Sequence, residues 1–118
     1  MFDEHQENEI NRQALFSDET QDYRYPEEPD AGETVTLWFR TAKNDVDRVF
    51  YIEEDKNIQA EMRKVSSDRL FDYYEYRMEA DSEPQRYYFQ VVKGSAVCYF
   101  NRLGATMDIQ SCYAFRIT

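Results

Sequence analysis

Hydrophobic and polar residues alternate strictly along residues 34–41, which read Thr-Val-Thr-Leu-Trp-Phe-Arg-Thr. A period of two among β-branched and aromatic residues is typical of a β-strand with one buried face. The wholly apolar side is the natural core face, and it consists of Val35, Leu37 and Phe39. The pattern therefore places Trp38, the only tryptophan of the chain, on the outer face beside Arg40.

Similar short runs, separated by turn residues, fill most of the remaining chain. They predict strands at residues 14–16, 48–52, 60–65, 71–79, 86–92, 96–101 and 113–117. The run at 48–52 is predicted to return alongside the strand at 34–41, and Lys93-Gly94 marks a tight hairpin. Seven or eight short strands without a long helical pattern predict an all-β fold, namely an antiparallel β-sandwich.

The inward sides of these strands define a predicted core. Its members are Val35, Leu37, Phe39, Val49, Tyr74, Tyr76, Phe89 and Val91. Tyr76 is the least favourable of them, because a buried hydroxyl needs a hydrogen-bond partner. Tyr73 and Tyr88 adjoin core aromatics and are predicted to face outward.

Charge divides the chain into two unequal parts. The net charge is −10, and residues 1–33 carry eleven acids and two bases, whereas residues 34–118 carry thirteen acids and twelve bases. We expect residues 1–13 to form an acidic, flexible leader and residues 14–118 to form the sandwich domain. Because the body lacks a basic stripe and the acids repel phosphate, nucleic acid is excluded as a partner.

The next signals concern the compartment. No apolar run reaches membrane-spanning length, and the first residues do not resemble a signal peptide, so we expect a cytoplasmic protein without a membrane partner.

Cys98 and Cys112 lack metal-ligand spacing and a paired histidine. Reduced thiols are therefore predicted, with a disulfide as the alternative. His5, the only histidine, lies in the acidic leader, where we expect it to be solvated.

The order and spacing of the strand motifs resemble those of a known family. The matching segments are Tyr23-Arg24-Tyr25-Pro26, Val35-Thr36-Leu37-Trp38-Phe39-Arg40-Thr41, Asp45-Val46-Asp47-Arg48-Val49, Leu70-Phe71-Asp72-Tyr73-Tyr74-Glu75 and Arg86-Tyr87-Tyr88-Phe89, followed by Tyr99 and Gly104. Together they resemble the N-terminal immunoglobulin-like domain, also classed as carbohydrate-binding module family 34, of neopullulanases, cyclomaltodextrinases and maltogenic amylases. The resemblance covers residues 14–118 and implies an immunoglobulin-like sandwich. The chain departs from the family at Ser17, where a histidine is frequent, and in its longer acidic leader.

This resemblance implies a place in a larger enzyme. In the family, the domain precedes a glycoside hydrolase family 13 barrel that acts on α-1,4 and α-1,6 glucans. No segment here resembles the acidic catalytic motifs of that barrel, and 118 residues cannot hold one. The resemblance thus implies a noncatalytic domain without a cofactor. Its candidate partners are the catalytic barrel, a second subunit and an α-glucan or maltooligosaccharide.

Acidic clusters are the first candidates for chemistry. Glycoside hydrolysis needs two carboxylates held across a sugar, one of them with a raised pKa. The spacing of the acids at 27–28 and 53–55 selects no such pair, and we interpret them as solvated loop surfaces. Asn44, Asp45 and Asp47 offer oxygen ligands for calcium, but no glycine-turned calcium loop frames them, so no metal site is predicted.

Outward aromatic residues are the stronger candidates for binding. Covering one ring face removes about 100 Å² of apolar surface, worth about 2.5 kcal/mol. Millimolar affinity already needs about 4 kcal/mol, so a sugar site requires at least two rings. Aromatic residues and arginine are equally typical of protein interfaces. We predict a carbohydrate-binding or interface site formed by Trp38, Arg40, Tyr73 and Tyr88, and favour the interface for Trp38.

Three functions are compatible with this sequence. The leading one is a noncatalytic accessory domain of an α-glucan-hydrolysing enzyme, which contributes domain packing, dimer assembly and weak glucan binding. The second is an autonomous starch-binding module. The third is an unrelated immunoglobulin-like protein-interaction domain.

Overall fold

The computed structural model describes residues 9–106 and 114–117. Within these ranges, ten strands form two antiparallel sheets that pack face to face. A 3-10 helix, Arg12–Ala14, precedes the first strand, and no helix of the described residues is long and apolar enough to cross a membrane. The predicted β-sandwich is confirmed, with ten strands in place of seven or eight.

Successive strands enter the two sheets in pairs, and the last four strands all belong to the same sheet. In chain order they are β1 Arg24–Tyr25, β2 Thr34–Ala42, β3 Arg48–Glu53, β4 Ile58–Glu61, β5 Arg63–Ser67, β6 Phe71–Glu79, β7 Gln85–Lys93, β8 Ala96–Asn101, β9 Gly104–Thr106 and β10 Phe115–Ile117. One sheet has the order β1-β2-β6-β5. The other has the order β4-β3-β7-β8-β9, and β10 pairs with the first residues of β7.

The pairing of β3 corrects the sequence prediction. This strand does not return alongside β2 but lies in the opposite sheet, where it pairs with β7 and β4. Its position is fixed by the preceding turn, because the Asp45 carboxylate pairs with Lys93 at 2.8 Å and the Asp47 carboxylate accepts the Gly94 N–H at 2.6 Å. Both contacts tie the turn to the β7–β8 hairpin.

The predicted strand at 60–65 is also wrong in its extent. Two strands occupy this stretch, β4 and β5, and they belong to different sheets. The chain crosses between the sheets at Met62, whose side chain is only 3% exposed and whose N–H donates to the Val49 carbonyl at 2.7 Å. Met62 continues the inward side of β4, and the alternation ends after it because all residues of β5 are exposed.

The predicted core is confirmed at every position except one. All its members but Tyr76 are buried, with Phe39 near the centre, 4.7 Å from the Phe89 ring and 5.4 Å from the Phe100 ring. Tyr76 is partly buried and stacks on Tyr51 at 4.7 Å. Its hydroxyl can therefore reach the surface while its ring covers the core.

The predicted leader is described from residue 9 onwards, and there it contacts the sandwich. Ile10 packs against the core, and the Asn11 N–H donates to the Asp45 carboxylate at 2.8 Å. The Lys93 ammonium donates to the Glu9 carbonyl at 2.9 Å. These contacts attach residues 9–11 to the turn between β2 and β3 and to the end of β7.

Cys98 lies on the inner side of β8 and is a free, buried thiol. Burial raises its pKa to about 11, so it contributes to packing as a small apolar residue. Cys112 and His5 lie outside the described residues.

Asp72 stabilises the start of the turn that follows β2 through a hydrogen bond to its backbone. Its carboxylate is 1% exposed and accepts hydrogen bonds from the Ser67 hydroxyl at 2.6 Å and the Asn44 N–H at 2.9 Å, with the Lys64 ammonium at 3.3 Å. Burial by itself raises the pKa of this carboxyl, but the three donors more than offset burial, so the pKa lies below its ordinary value.

This lowered pKa predicts a pH-dependent contribution to stability. Asp72 stabilises the fold fully above the ordinary carboxyl pKa of 3.8, and the contribution disappears as the pH falls through the lower folded-state value. We expect Asp72→Asn to be less stable than the parent near neutral pH, and the difference to shrink in acid. Urea unfolding between pH 2.5 and 7 measures it, with exposed Asp30→Asn as control. A difference that stays constant over this range would contradict the assignment.

Candidate functional site

The outer face of the four-stranded sheet carries a shallow concavity of about 550 Å³. Two predicted site residues, Trp38 and Tyr73, line it together, which the sequence alone did not establish. The remaining lining residues are Gln21, Asp22, Tyr23, Val65 and Ser66. The predicted outward position of Trp38 is correct, and its side chain is partly buried.

The Trp38 side chain is held in a fixed orientation. Its indole N–H donates to the Glu75 carboxylate at 3.1 Å, directly across the β2–β6 pair. The backbone N–H of Trp38 donates to the Tyr23 carbonyl, and its carbonyl accepts the Ser17 hydroxyl at 2.7 Å. The ring therefore offers its apolar face to the concavity, while its one polar group is already bonded.

Glu75 is the charged centre of this face. Besides the indole of Trp38, it contacts the guanidinium groups of Arg63 at 3.6 Å and Arg77 at 3.4 Å. Both arginine side chains are mostly exposed, at 78% and 67%. The negative charge of the Glu75 carboxylate, which accepts the indole N–H, is thus balanced by two arginines that face the solvent.

The two tyrosines of the concavity present protonated hydroxyls at neutral pH. Partial burial raises the pKa of Tyr73, and the hydrogen bond from its hydroxyl to the Asp68 carboxylate, at 3.0 Å, raises it further. Burial likewise raises the pKa of Tyr23. Each ring therefore combines an apolar face with a neutral hydroxyl, a combination that suits both sugars and protein surfaces.

Arg40, another predicted site residue, is engaged within the domain. Its guanidinium lies 4.2 Å from the Phe71 ring centre and 5.4 Å from that of Phe16, and its Nε donates to the Ala14 carbonyl at 3.0 Å. Such cation–π contacts fix a side chain in place. Phe16 in turn packs edge-on against Tyr23 at 5.1 Å. Arg40 therefore supports the wall of the concavity.

Tyr88 lies apart from the other predicted site residues. It faces away from the core, as the alternation implied, but on the six-stranded sheet, where it pairs opposite Ile52. Its side chain is only 6% exposed and packs edge-on against Tyr99 at 6.0 Å. Trp38 and Tyr88 therefore occupy opposite outer faces.

Sequence reasoning missed Tyr23 and Val65 as part of the concavity. Tyr23 immediately precedes the short strand β1, and its carbonyl pairs with β2 beside Trp38. Val65 sits where the β5–β6 register shifts, and its side chain is 41% exposed. A bulge changes the direction of side chains locally, so the alternation of hydrophobic and polar residues cannot predict where Val65 points.

Within residues 9–106 and 114–117, no group of three or more metal-ligating side chains comes together. The calcium ligands considered above are part of the turn before β3. Asp45 is bonded to Lys93 and to the Asn11 N–H, and Asp47 to the Gly94 N–H. These hydrogen bonds give both carboxylates a structural role.

Known families and solved structures contain counterparts of this sandwich. The family described as "Alpha amylase, N-terminal ig-like domain" matches residues 6–117. The chain belongs to this family. A comparison with curated proteins gave no match. Among solved structures, a cyclomaltodextrinase matches this alpha-amylase N-terminal domain with a TM-score of 0.75 and 22% identity over 88% of the chain.

The family match confirms the resemblance to an N-terminal immunoglobulin-like domain, on which the sequence interpretation rested. It also begins at residue 6, inside the predicted leader. The alpha-amylase N-terminal domain spans 19% of the length of the matched cyclomaltodextrinase.

Proposed function

We propose that this chain is the noncatalytic N-terminal accessory domain of a cytoplasmic glycoside hydrolase family 13 enzyme that acts on α-glucans. The family match across residues 6–117 supports this proposal most directly. In this role the domain packs against the catalytic barrel and assists the assembly of a dimer. Catalysis belongs to the barrel.

The test compares the isolated chain with the longer polypeptide that carries it. We expect the isolated chain to release no reducing sugar from maltoheptaose or pullulan, and the longer polypeptide to hydrolyse at least one of them. Deleting residues 1–117 should lower the molar mass seen by light scattering from that of a dimer to that of a monomer of the shortened polypeptide. Hydrolysis by the isolated chain, or a longer polypeptide inactive on α-glucans, would overturn the proposal.

Weak α-glucan binding at the concavity is the second function we propose. The observation that favours it is that two aromatic rings, those of Trp38 and Tyr73, line one concavity. Covering two ring faces contributes about 5 kcal/mol. Ordering of the sugar and side chains on binding costs part of this free energy, and the remainder is enough for millimolar affinity. The nearby Gln21, Asp22 and Ser66 offer hydrogen bonds to sugar hydroxyls.

Because Trp38 is the only tryptophan, its fluorescence reports on the concavity directly. We expect maltoheptaose to change it saturably at millimolar concentration, and Tyr73→Ala to weaken the apparent affinity at least tenfold, since one ring face is lost. Tyr25→Ala is the matched control, because Tyr25 is 60% exposed and does not line the concavity. Unchanged fluorescence up to the solubility limit of maltoheptaose would contradict the proposed sugar binding.

A further inference from the structure

The outer face of the six-stranded sheet is apolar at its centre. Its outward, partly exposed side chains are Phe50, Ile52, Val92, Val97 and Tyr99, next to the buried Tyr88. The strand register groups them, because Val92 lies opposite Val97 and Ile52 opposite Tyr88. An antiparallel sheet with one solvated face normally carries polar residues there, so this face is unusual.

Polar groups on this face are either paired with one another or placed at the rim. Gln90, between Phe50 and Tyr99, accepts a hydrogen bond from Gln59 at 2.9 Å and donates to the Tyr99 hydroxyl at 3.5 Å. The exposed rim consists of Arg48, Gln59, Glu61 and Arg86, and Arg86 forms a two-pronged ion pair with Asp55. An apolar centre with a polar rim is the anatomy of a protein–protein contact.

The opposite outer face has a different composition. Its central positions on β2 and β6 combine the rings of Trp38 and Tyr73 with charged side chains. Arg40, Glu75 and Arg77 form cation–π contacts and ion pairs there. Covering a face with charged side chains costs free energy, because these groups lose their hydration, whereas covering an apolar face is favourable. Of the two, the six-stranded sheet is the one that gains by being covered with protein.

We propose that the outer face of β3, β7 and β8 docks the catalytic domain of the same polypeptide. This inference rests on the function proposed above and adds which surface makes the contact. The occupant presents a flat apolar patch to Phe50, Val92 and Val97, and hydrogen-bond acceptors to the exposed Arg48.

The size of the face favours a linked domain over a second copy of the chain. The three strands β3, β7 and β8, about 4.8 Å apart and about 20 Å long, give a face of roughly 300 Å², below the roughly 800 Å² per partner of stable free complexes. Contacts between domains of one chain are commonly this small, because the linker supplies a high local concentration.

The experiment introduces one charge on each outer face. Val97→Glu places it at the proposed contact, and Thr36→Glu places it on the opposite sheet at a β-branched position that is also partly buried and outward. Melting temperatures are measured in the isolated chain and in the longer polypeptide. We expect both substitutions to have similar, small effects on the isolated chain.

In the longer polypeptide, we expect docking to raise the melting temperature of the sandwich above that of the isolated chain. Val97→Glu should abolish this increase and Thr36→Glu should keep it. Should Val97→Glu fail to fold, the near-isosteric Val97→Thr should reduce the increase partially. Equal effects of the two substitutions in the longer polypeptide, or a dimer of the isolated chain that Val97→Glu dissociates, would overturn the inference. Glucan hydrolysis by the longer polypeptide tests the proposed function separately, so the two failures are distinguishable.

Discussion

Phe39→Ala is expected to lower the free energy of unfolding by about 3–5 kcal/mol, a large share of the total stability of a small domain. The side chain is fully buried, and its ring lies against Phe89 and Phe100 of the opposite sheet. Removing it leaves a cavity between two sheets whose backbones are fixed by their hydrogen bonds, so collapse is limited. Urea unfolding followed by circular dichroism measures the loss.

The matched control is Phe50→Ala. Phe50 is partly exposed on the outer face of the six-stranded sheet, so truncation there removes less buried surface and leaves no closed cavity. We expect it to cost about 1 kcal/mol in the isolated chain. If both substitutions cost the same, the inward and outward faces would not differ as the structure has them.

Arg24→Met is expected to destabilise the domain by about 3 kcal/mol or more, because it leaves buried acceptors without donors. Arg24 is 5% exposed and donates to the Tyr87 hydroxyl at 3.2 Å, the Arg116 carbonyl at 2.9 Å and the Glu27 carbonyl at 3.0 Å. Glu19 provides a carboxylate at 3.6 Å. One side chain thus joins β1 to β7, to β10 and to the following loop.

Arg24→Lys keeps the charge but lacks the forked donors, so an intermediate loss is expected. Arg77→Met provides the exposed control, because that side chain is 67% exposed and surface ion pairs contribute little. Thermal unfolding of the three variants ranks them. Equal stability of Arg24→Met and Arg77→Met would show that the buried network does not stabilise the fold.

The sequence predicted which way residues point better than it predicted which strands meet. Alternation along β2 assigned Val35, Leu37 and Phe39 to the core correctly, because the side-chain period of a strand is a local property. The partner of β3 is not local. It depends on contacts of Asp45 and Asp47 with a hairpin more than forty residues away, and no periodicity encodes them.

The candidate site was predictable to the same degree. Trp38 and Tyr73 were both identified as outward rings, but only the β2–β6 register, which sets Arg40 opposite Tyr73, brings them to one concavity. The sequence predicts Arg40 as part of a binding or interface site, whereas its flat guanidinium contacts Phe16 and Phe71 within the domain. Tyr88 faces outward as expected, yet its sheet membership separates it from the other three.

The crossing at Met62 makes a single stretch of chain the border of both sheets. β4 closes one side of the six-stranded sheet and β5 closes one side of the four-stranded sheet, with only Met62 between them. If Met62 leaves the core, both strands lose their anchor together, so fraying at either border is coupled to fraying at the other. β4 and β5 therefore form one cooperative unit, and the sandwich opens at both of these border strands together.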